Sequence, residues 1–189
     1  MALFQPMNAL PVLAARRILI YGVTGAGKTT FAQRLGRSTG IPWHEADAMC
    51  WNPGWQSVPK PEQRARAQAL VAGEAWILDS AYGGWIDIVL PRIQLIVALD
   101  YPRWLSLARL SMRTADRVMH RRPVCNGNRE TLGKALSGDS ILLWHFRSFS
   151  SKRRRMRAWA ADPSAPPTLL LSSPKAAEAW LKGLCPSPG

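Results

Sequence analysis

The sequence has few of the features that mark secreted, zinc-bound or membrane-spanning proteins. Its three cysteines are widely spaced and form no Cys-x-x-Cys pair, so we expect neither a disulfide framework nor a zinc site. No apolar run approaches the length that spans a bilayer, and residues 1–15 lack the basic segment of a signal peptide. We therefore expect a cytoplasmic protein without membrane contact, with a flexible extension at 1–15 and a loose tail at 185–189.

Acidic residues are also scarce. The chain has 12 Asp and Glu against 25 Lys and Arg, which gives a formal net charge of +13. A balance of this size favours polyanionic partners, and nucleotides, nucleic acids and anionic membrane surfaces all qualify. Since 47% of the residues are apolar, the chain can still bury a sizeable core. Charge alone therefore does not choose among these partners.

Short apolar runs alternate with helical segments along the chain. The runs at 75–80 and 95–100 both end in an aspartate, as expected for strands buried on both faces of a parallel sheet. The predicted strands are 18–21, 41–44, 75–80, 95–100 and 168–172, and the predicted helices are 28–39, 61–73, 103–120, 139–161 and 173–184. This order predicts a three-layer α/β domain over 16–184, with about five parallel strands, helices on both faces and a lid at about 117–138.

A glycine-rich segment between the first strand and the first helix matches G-x-x-x-x-G-K-[ST]. Glycines there let backbone N–H groups close around phosphate oxygens at the N-terminus of the helix. Lys28 would reach the β- and γ-phosphates, and the Thr29 hydroxyl would bind Mg²⁺. The residues predicted to bind a nucleoside triphosphate are Gly22, Val23, Thr24, Gly25, Ala26, Gly27, Lys28, Thr29 and Thr30.

Two aspartates follow the third and fourth predicted strands. Asp79 ends the third strand at the edge where ligands bind, so it could support Mg²⁺, or it could only cap the following turn. Asp100 precedes Tyr-Pro and the start of a helix, which favours N-capping.

Residues 43–55 read WHEADAMCWNPGW and show neither helical nor strand periodicity. The stretch holds three tryptophans, which are costly to leave in water. We expect Trp51 and Trp55 to anchor this loop on the core, with direct stacking on a substrate as the alternative.

Arginine recurs every four residues at Arg109, Arg113, Arg117 and Arg121, on one face of a predicted helix. Like charges so spaced repel, and a bound polyphosphate would reverse that balance. Arg113, Arg117 and Arg121 are therefore predicted to contact phosphate, with a solvated basic face or a nucleic-acid groove as the alternatives. A second basic run at 147–157 is predicted to be mostly solvated, with one or two side chains facing the nucleotide.

These motifs resemble the P-loop kinase group that includes nucleoside-monophosphate and shikimate kinases. They resemble more closely the adenylate-kinase-like bacterial proteins often labelled topology modulation proteins. The resemblance covers roughly residues 17–160 and rests on GVTGAGKTT, HEADAMCWNPGW, AWILDSAYGGWIDIVLP, LIVALDYPRWLSLARLSMRT and NGNRE. It implies a kinase fold that binds ATP. The segment Asp79-Ser80-Ala81-Tyr82 departs from the Asp-Gly-Phe-Pro-Arg of adenylate kinases, which weighs against AMP as the acceptor.

The leading hypothesis is an ATP-dependent kinase that acts on a nucleotide or another small acceptor, with Mg²⁺ on Thr29 and Asp79. Asp47 follows the second strand, where it could orient the attacking hydroxyl or accept its proton. Arg64 or Arg66, on the next helix, could hold an anionic group of the acceptor. The predicted catalytic side chains are Lys28, Asp47, Arg113, Arg117 and Arg121.

Two other functions remain open from the sequence. A nucleotide-regulated DNA-binding or topology-modulating accessory protein could use the basic helix 147–157, although nucleic-acid binding through charge alone is expected to be weak. An NTPase without an acceptor ranks last, because no residue stands out that would position an attacking water.

Overall fold

The computed structural model describes residues 14–120, 123, 124, 126, 128, 129 and 141–184. The predicted features outside these residues are Arg121, most of the 117–138 lid, residues 1–13 and the tail at 185–189. Within the described part, none of the helices is both long enough and apolar enough to cross a membrane.

The strands and helices alternate much as the apolar runs predict. The strands are β1 Arg17–Gly22, β2 Trp43–His44, β3 Trp51–Asn52, β4 Gln56–Ser57, β5 Trp76–Leu78, β6 Leu95–Leu99, β7 Pro123–Val124, β8 Asn128–Arg129 and β9 Thr168–Leu171. The helices are α1 Lys28–Thr39, α2 Ala46–Cys50, α3 Lys60–Val71, α4 Ile86–Val89, α5 Arg103–Met119, α6 Ile141–Ala161 and α7 Pro174–Leu184.

Five parallel strands form the main sheet, as predicted. Their order across the sheet is β2-β5-β1-β6-β9, so the first strand of the chain lies in the middle. Every side chain of β6 is buried, as are all but the first of β1, and this explains why both strands read as continuous apolar runs. The ends of β1, β2, β5 and β6 therefore bring Gly22, His44, Asp79 and Asp100 to one edge of the sheet.

Helices cover both faces of the sheet. Phe31 and Leu35 of α1 pack in one apolar cluster with Ala177 and Leu181 of α7. On the other face, α3, α4 and the second half of α6 pack against a cluster that includes Trp76 and Trp85. The Ala176 N–H donates to the Ser173 hydroxyl at 3.1 Å, so Ser173 caps the N-terminus of the last helix.

The tryptophan-rich stretch differs from the irregular loop expected there. It contains the five-residue helix α2, and β3 pairs with β4 in a short antiparallel hairpin. The hairpin turns through Gly54, whose φ of 76° favours glycine. Neither element is long enough to produce a hydrophobic period, which is why the sequence pattern did not reveal them.

Candidate functional site

The glycine-rich segment leads from β1 into α1 and bends through Gly25 and Gly27, whose φ angles are 84° and 87°. Gly27 is the N-cap of α1, so the loop lies at a helix N-terminus, where the dipole and exposed N–H groups favour anions. A Cβ atom on Gly25 would lie 2.2 Å from the Ser106 carbonyl oxygen. Only glycine therefore allows α5 to pack this closely against the loop.

The other residues predicted to bind the triphosphate lie along the same turn. Gly22, Val23 and Ala26 are buried, and the Ala26 N–H donates to the Val23 carbonyl oxygen at 3.2 Å. Thr24 is half-buried, and Thr30 is exposed on the first turn of α1. The loop is thus folded into a tight turn before any ligand binds.

Lys28 is the first residue of α1, and its Nζ donates to the Val23 carbonyl oxygen at 3.1 Å. Burial lowers the pKa of Lys28, while the carboxylates of Asp79 and Asp47 act in the opposite direction and Arg113 adds to the lowering. A phosphate placed beside this ammonium would favour its charged form.

Asp79 joins the phosphate loop to the start of α2. One carboxylate oxygen accepts the Thr29 hydroxyl at 2.5 Å, and the other accepts the Ala46 N–H at 2.8 Å. Asp79 is only 6% exposed, and burial raises the pKa of its carboxyl group. Because both oxygens point to these partners, Asp79 does not cap the turn that follows it, which was the alternative role.

Asp47 lies on the first turn of α2 and accepts a hydrogen bond from the Tyr82 hydroxyl. Burial raises the pKa of Tyr82, and the Asp47 carboxylate raises it further, so the phenol keeps its proton at neutral pH. The sequence singled out Asp47 but gave no sign that Tyr82 is its partner, because the two residues are 35 positions apart.

Trp51 and Trp55 pack edge to face, with ring centroids 5.9 Å apart, and Trp51 also lies against the core. The Asn126 side chain donates to the carbonyl oxygens of Ala48 at 3.2 Å and Trp51 at 2.5 Å. This arrangement agrees with the anchoring role expected for the indoles. It also places a described residue of the predicted lid against the loop that carries Asp47.

The arginine stripe on α5 faces the phosphate loop and the carboxylates. Arg109 lies over the Tyr101 ring at 5.7 Å, with its guanidinium 3.8 Å from where a Cβ on Gly27 would lie. Arg113 is close enough to Lys28 to lower its pKa, and Arg117 lowers that of Glu45. Arg109 is therefore a further cation at the loop, although Arg113, Arg117 and Arg121 were the arginines predicted to contact phosphate.

Helix α6 contributes His145, which the sequence did not indicate, and Lys152, which belongs to the run at 147–157 where one or two side chains were predicted to face the nucleotide. His145 is fully buried, and its Nδ1 lies 3.0 Å from the Thr24 carbonyl oxygen in the phosphate loop. Lys152 lies seven residues further along α6, two helical turns away and on the same face. Burial lowers the pKa of Lys152 to about 7, and the neighbouring Lys28 lowers it as well.

The basic run on α6 is mostly exposed, as predicted, and only Lys152 and Arg153 of its six cations are half-buried. Arg153 and Arg157 bind the two carboxylate oxygens of Asp100, at 2.8 and 3.0 Å. Asp100 is 7% exposed, so the arginines compensate a buried charge. The predicted N-capping role of Asp100 is wrong, since α5 begins after Pro102 without a side-chain cap.

The two arginines suggested as acceptor contacts are paired with carboxylates. Arg64 binds Asp87 through two hydrogen bonds of 2.8 and 2.9 Å and donates to the Gly84 carbonyl oxygen at 2.7 Å. Arg66 binds Glu62 on its own helix at 2.6 Å. Arg64 thus anchors the segment that follows Tyr82.

No protein-family model matches the chain, and no curated protein matches it by sequence. Solved structures do match its fold. Shikimate kinase from Bacteroides thetaiotaomicron aligns over 90% of this chain and 97% of its own, with a TM-score of 0.54 and 15% identity. Deoxyadenosine kinase from M. mycoides aligns over 88% and 95%, with a TM-score of 0.51 and 13% identity.

A gluconokinase from Sinorhizobium meliloti 1021 is similar over 90% of this chain and 93% of its own, with a TM-score of 0.50 and 16% identity. At such low identities these likenesses show the fold alone. The chain has the α/β fold of P-loop kinases, with a five-stranded parallel sheet between helices.

Proposed function

We propose that this protein is an ATP-dependent phosphotransferase that moves the γ-phosphoryl group of ATP to a small acceptor. The observation that carries the proposal is the phosphate loop with Lys28 beside it, the bond between Thr29 and Asp79, and the electrostatic effect of Asp79 and Asp47 on Lys28. The similar solved structures are kinases with different acceptors, which supports the reaction type and leaves the acceptor open.

On the donor side, the N–H groups of the loop from Gly22 to Thr30 and the start of α1 would hold the phosphates. Lys28 would exchange its bond to the Val23 carbonyl oxygen for the β- and γ-phosphate oxygens. The site is partly closed to solvent, so each of these interactions acts in a low dielectric, where it stabilises charge more strongly than in water.

Magnesium fits the donor side. The Thr29 hydroxyl and the Asp79 carboxylate are hard oxygen ligands that are hydrogen-bonded to each other at 2.5 Å, and Mg²⁺ in kinases takes one or two such ligands together with substrate phosphates. A metal bound by both oxygens would replace this hydrogen bond. When bound, the metal would neutralise charge on the β- and γ-phosphate oxygens.

On the acceptor side, Asp47 would orient the attacking oxygen and accept its proton as the bond to phosphorus forms. Arg113 and Arg117 on α5, with Arg121 beyond it, would neutralise charge on the γ-phosphoryl group. Residues 16–184 would form the phosphotransferase domain, and the segment at about 117–138 would close over the phosphates and exclude water. The narrower relationship to adenylate-kinase-like proteins is part of this proposal.

The variant Lys28→Ala tests the donor site. We expect its ATP turnover to fall by roughly a hundredfold or more, as when one preorganised charge donor is removed, with ATP binding weakened as well. Radiolabelled ADP release and equilibrium binding of ATP with Mg²⁺ measure the two effects.

Lys182→Ala is the matched control, because Lys182 is 76% exposed on α7, away from the loop. It should bind and turn over ATP as the unsubstituted protein does. Full activity in Lys28→Ala would overturn the phosphate-site assignment.

A further inference from the structure

Three carboxylates on the acceptor side are near enough to interact electrostatically. Glu45 and Asp47 lie at the start of α2, with Asp79 bonded to the backbone between them. The pKa of Glu45 is raised, first by burial and then by Asp79 and Asp47, while Arg117 acts in the opposite direction. These carboxylates would repel an anionic group of an acceptor, and more strongly once solvent is excluded.

Among the residues that the structure describes, the two arginines suggested as acceptor contacts already have other partners. Arg64 is held by Asp87 and the Gly84 carbonyl oxygen, and Arg66 by Glu62. Both arginines therefore stabilise α3 and the segment after β5. Using either one for an acceptor phosphate would leave its carboxylate without that partner.

The other cations that the structure describes at this site lie mainly on the donor side. Lys28 lies in the phosphate loop, and both Arg113 and Lys152 are near enough to interact with it electrostatically. A triphosphate in the loop would engage these groups first. Arg117 faces Glu45, whose carboxylate offsets part of its charge.

Asp47 and Tyr82 offer hydrogen bonds that suit an alcohol. The Tyr82 hydroxyl donates to one Asp47 oxygen, which fixes the carboxylate, and leaves the other oxygen to accept a proton from a substrate hydroxyl. The phenol oxygen can in turn accept from a neighbouring hydroxyl. Asp47 is exposed at the site, so a ligand can reach it.

We propose that the acceptor is an uncharged, hydroxyl-bearing molecule of the sugar, polyol or nucleoside class, and that Tyr82 positions Asp47 to bind its reacting hydroxyl. This inference rests on the proposed phosphotransferase function. The substrate oxygen forms a bond to the γ-phosphorus of ATP, and the bond from that phosphorus to the β–γ bridging oxygen breaks. The hydroxyl proton passes to Asp47, and ADP leaves.

Matched pairs of acceptors test the substrate class. The protein is incubated with γ-labelled ATP, Mg²⁺ and one acceptor at a time. The four pairs, with the uncharged member first, are adenosine and AMP, ribose and ribose 5-phosphate, glycerol and glycerol 3-phosphate, and glucose and gluconate. Label should appear on at least one uncharged member, at ten times or more the rate on its anionic partner.

The outcomes separate this inference from the function on which it rests. Label only on anionic members overturns the uncharged acceptor and leaves the phosphotransferase function standing. No label on any acceptor, with ATP bound, overturns the transfer function and this inference together.

The variant Tyr82→Phe tests the role of the phenol with the labelled acceptor. Loss of a hydrogen bond to a charged group predicts a tenfold to hundredfold lower kcat/KM for the acceptor, with ATP affinity unchanged. Tyr21→Phe is the control, because the Tyr21 hydroxyl contacts Arg155 at 3.5 Å and lies outside the acceptor side. An equal loss in both variants, or none in Tyr82→Phe, contradicts the role given to Tyr82.

Discussion

Two ammonium groups, those of Lys28 and Lys152, lie close together and partly buried beside the phosphate loop. Burial lowers the pKa of each, and the Lys28 ammonium lowers the pKa of Lys152 further. The arrangement costs free energy in the absence of an anion, because both groups lose solvation and repel one another. A bound triphosphate would reverse this, so nucleotide binding would be linked to protonation of these groups.

Lys152 therefore gives a pH-dependent prediction. Its pKa is about 7 in the free protein, and a neighbouring phosphate raises it, so at pH 8 binding should draw a proton from solution. At pH 6 the side chain is already charged, and the uptake from this group should vanish. Calorimetric titration with an unhydrolysable ATP analogue and Mg²⁺, in two buffers of different ionisation enthalpy, measures the uptake.

The variant Lys152→Met separates the proton uptake of Lys152 from any contribution of the neighbouring Lys28. The variant should take up fewer protons at pH 8 than the unsubstituted protein and the same number at pH 6. Lys182→Met, at an exposed position, should match the unsubstituted protein at both pH values. Equal uptake at pH 8 in all three proteins would contradict the assignment.

Residues of the site differ in how far the sequence predicts them. The positions of Lys28 and Thr29 follow from a contiguous motif, because the loop and the helix start are neighbours in the chain. The position of Asp79 at the ligand-binding edge of the sheet was predicted from its place at the end of an apolar run. His145 and Thr24 are 121 positions apart, and Tyr82 and Asp47 are 35 positions apart. No local sequence pattern therefore predicts either contact.

At the scale of elements, the contact between α5 and the phosphate loop depends on Gly25. An added Cβ would meet the Ser106 carbonyl oxygen at 2.2 Å and the Leu110 Cβ at 3.0 Å, and the φ of 84° disfavours any other residue. Because α5 carries Arg109 and Arg113, a shift of this helix also moves cations away from the phosphates.

Gly25→Ala should therefore lower the free energy of unfolding by about 1–3 kcal/mol and reduce ATP binding. Gly183→Ala is the matched control, since no atom lies within 4 Å of the added Cβ and alanine favours a helix interior. Urea unfolding and ATP titration of both variants measure the effects. Unchanged stability and binding in Gly25→Ala would show that the loop and α5 can separate without cost.

Elements with a clear hydrophobic period were predicted to within a few residues, and short elements were not. The buried runs that became β1 and β6 are apolar because helices cover both faces of the sheet. Helix α2 has only five residues and starts where Asp79 accepts the Ala46 N–H. Its position depends on a residue 33 positions away, which a reading of local periodicity does not include.

At the scale of the whole molecule, the net charge of +13 is only partly available to an external partner. Arg153 and Arg157 are bound to Asp100, yet with Arg103 and Arg154 they also line an open groove of about 620 Å³ between α5 and α6. Four arginines thus line the groove, and only the Asp100 carboxylate, which two of them bind, offsets their charge. This pattern attracts any polyanion and contains no feature that reads a base sequence.

Binding of DNA should therefore be weak, without sequence preference, and steeply dependent on salt. If the four groove arginines each neutralise one phosphate, affinity should fall by roughly a hundredfold between 50 and 200 mM salt. Arg154→Glu should reduce the slope of log affinity against log salt concentration by about one, as when one phosphate contact is lost. Arg37→Glu, at the exposed end of α1, should leave this slope unchanged. Fluorescence anisotropy with unrelated duplexes of equal length measures both slopes. Tight, sequence-selective binding at physiological salt would instead favour a dedicated nucleic-acid function, because charge attraction alone cannot tell one duplex from another.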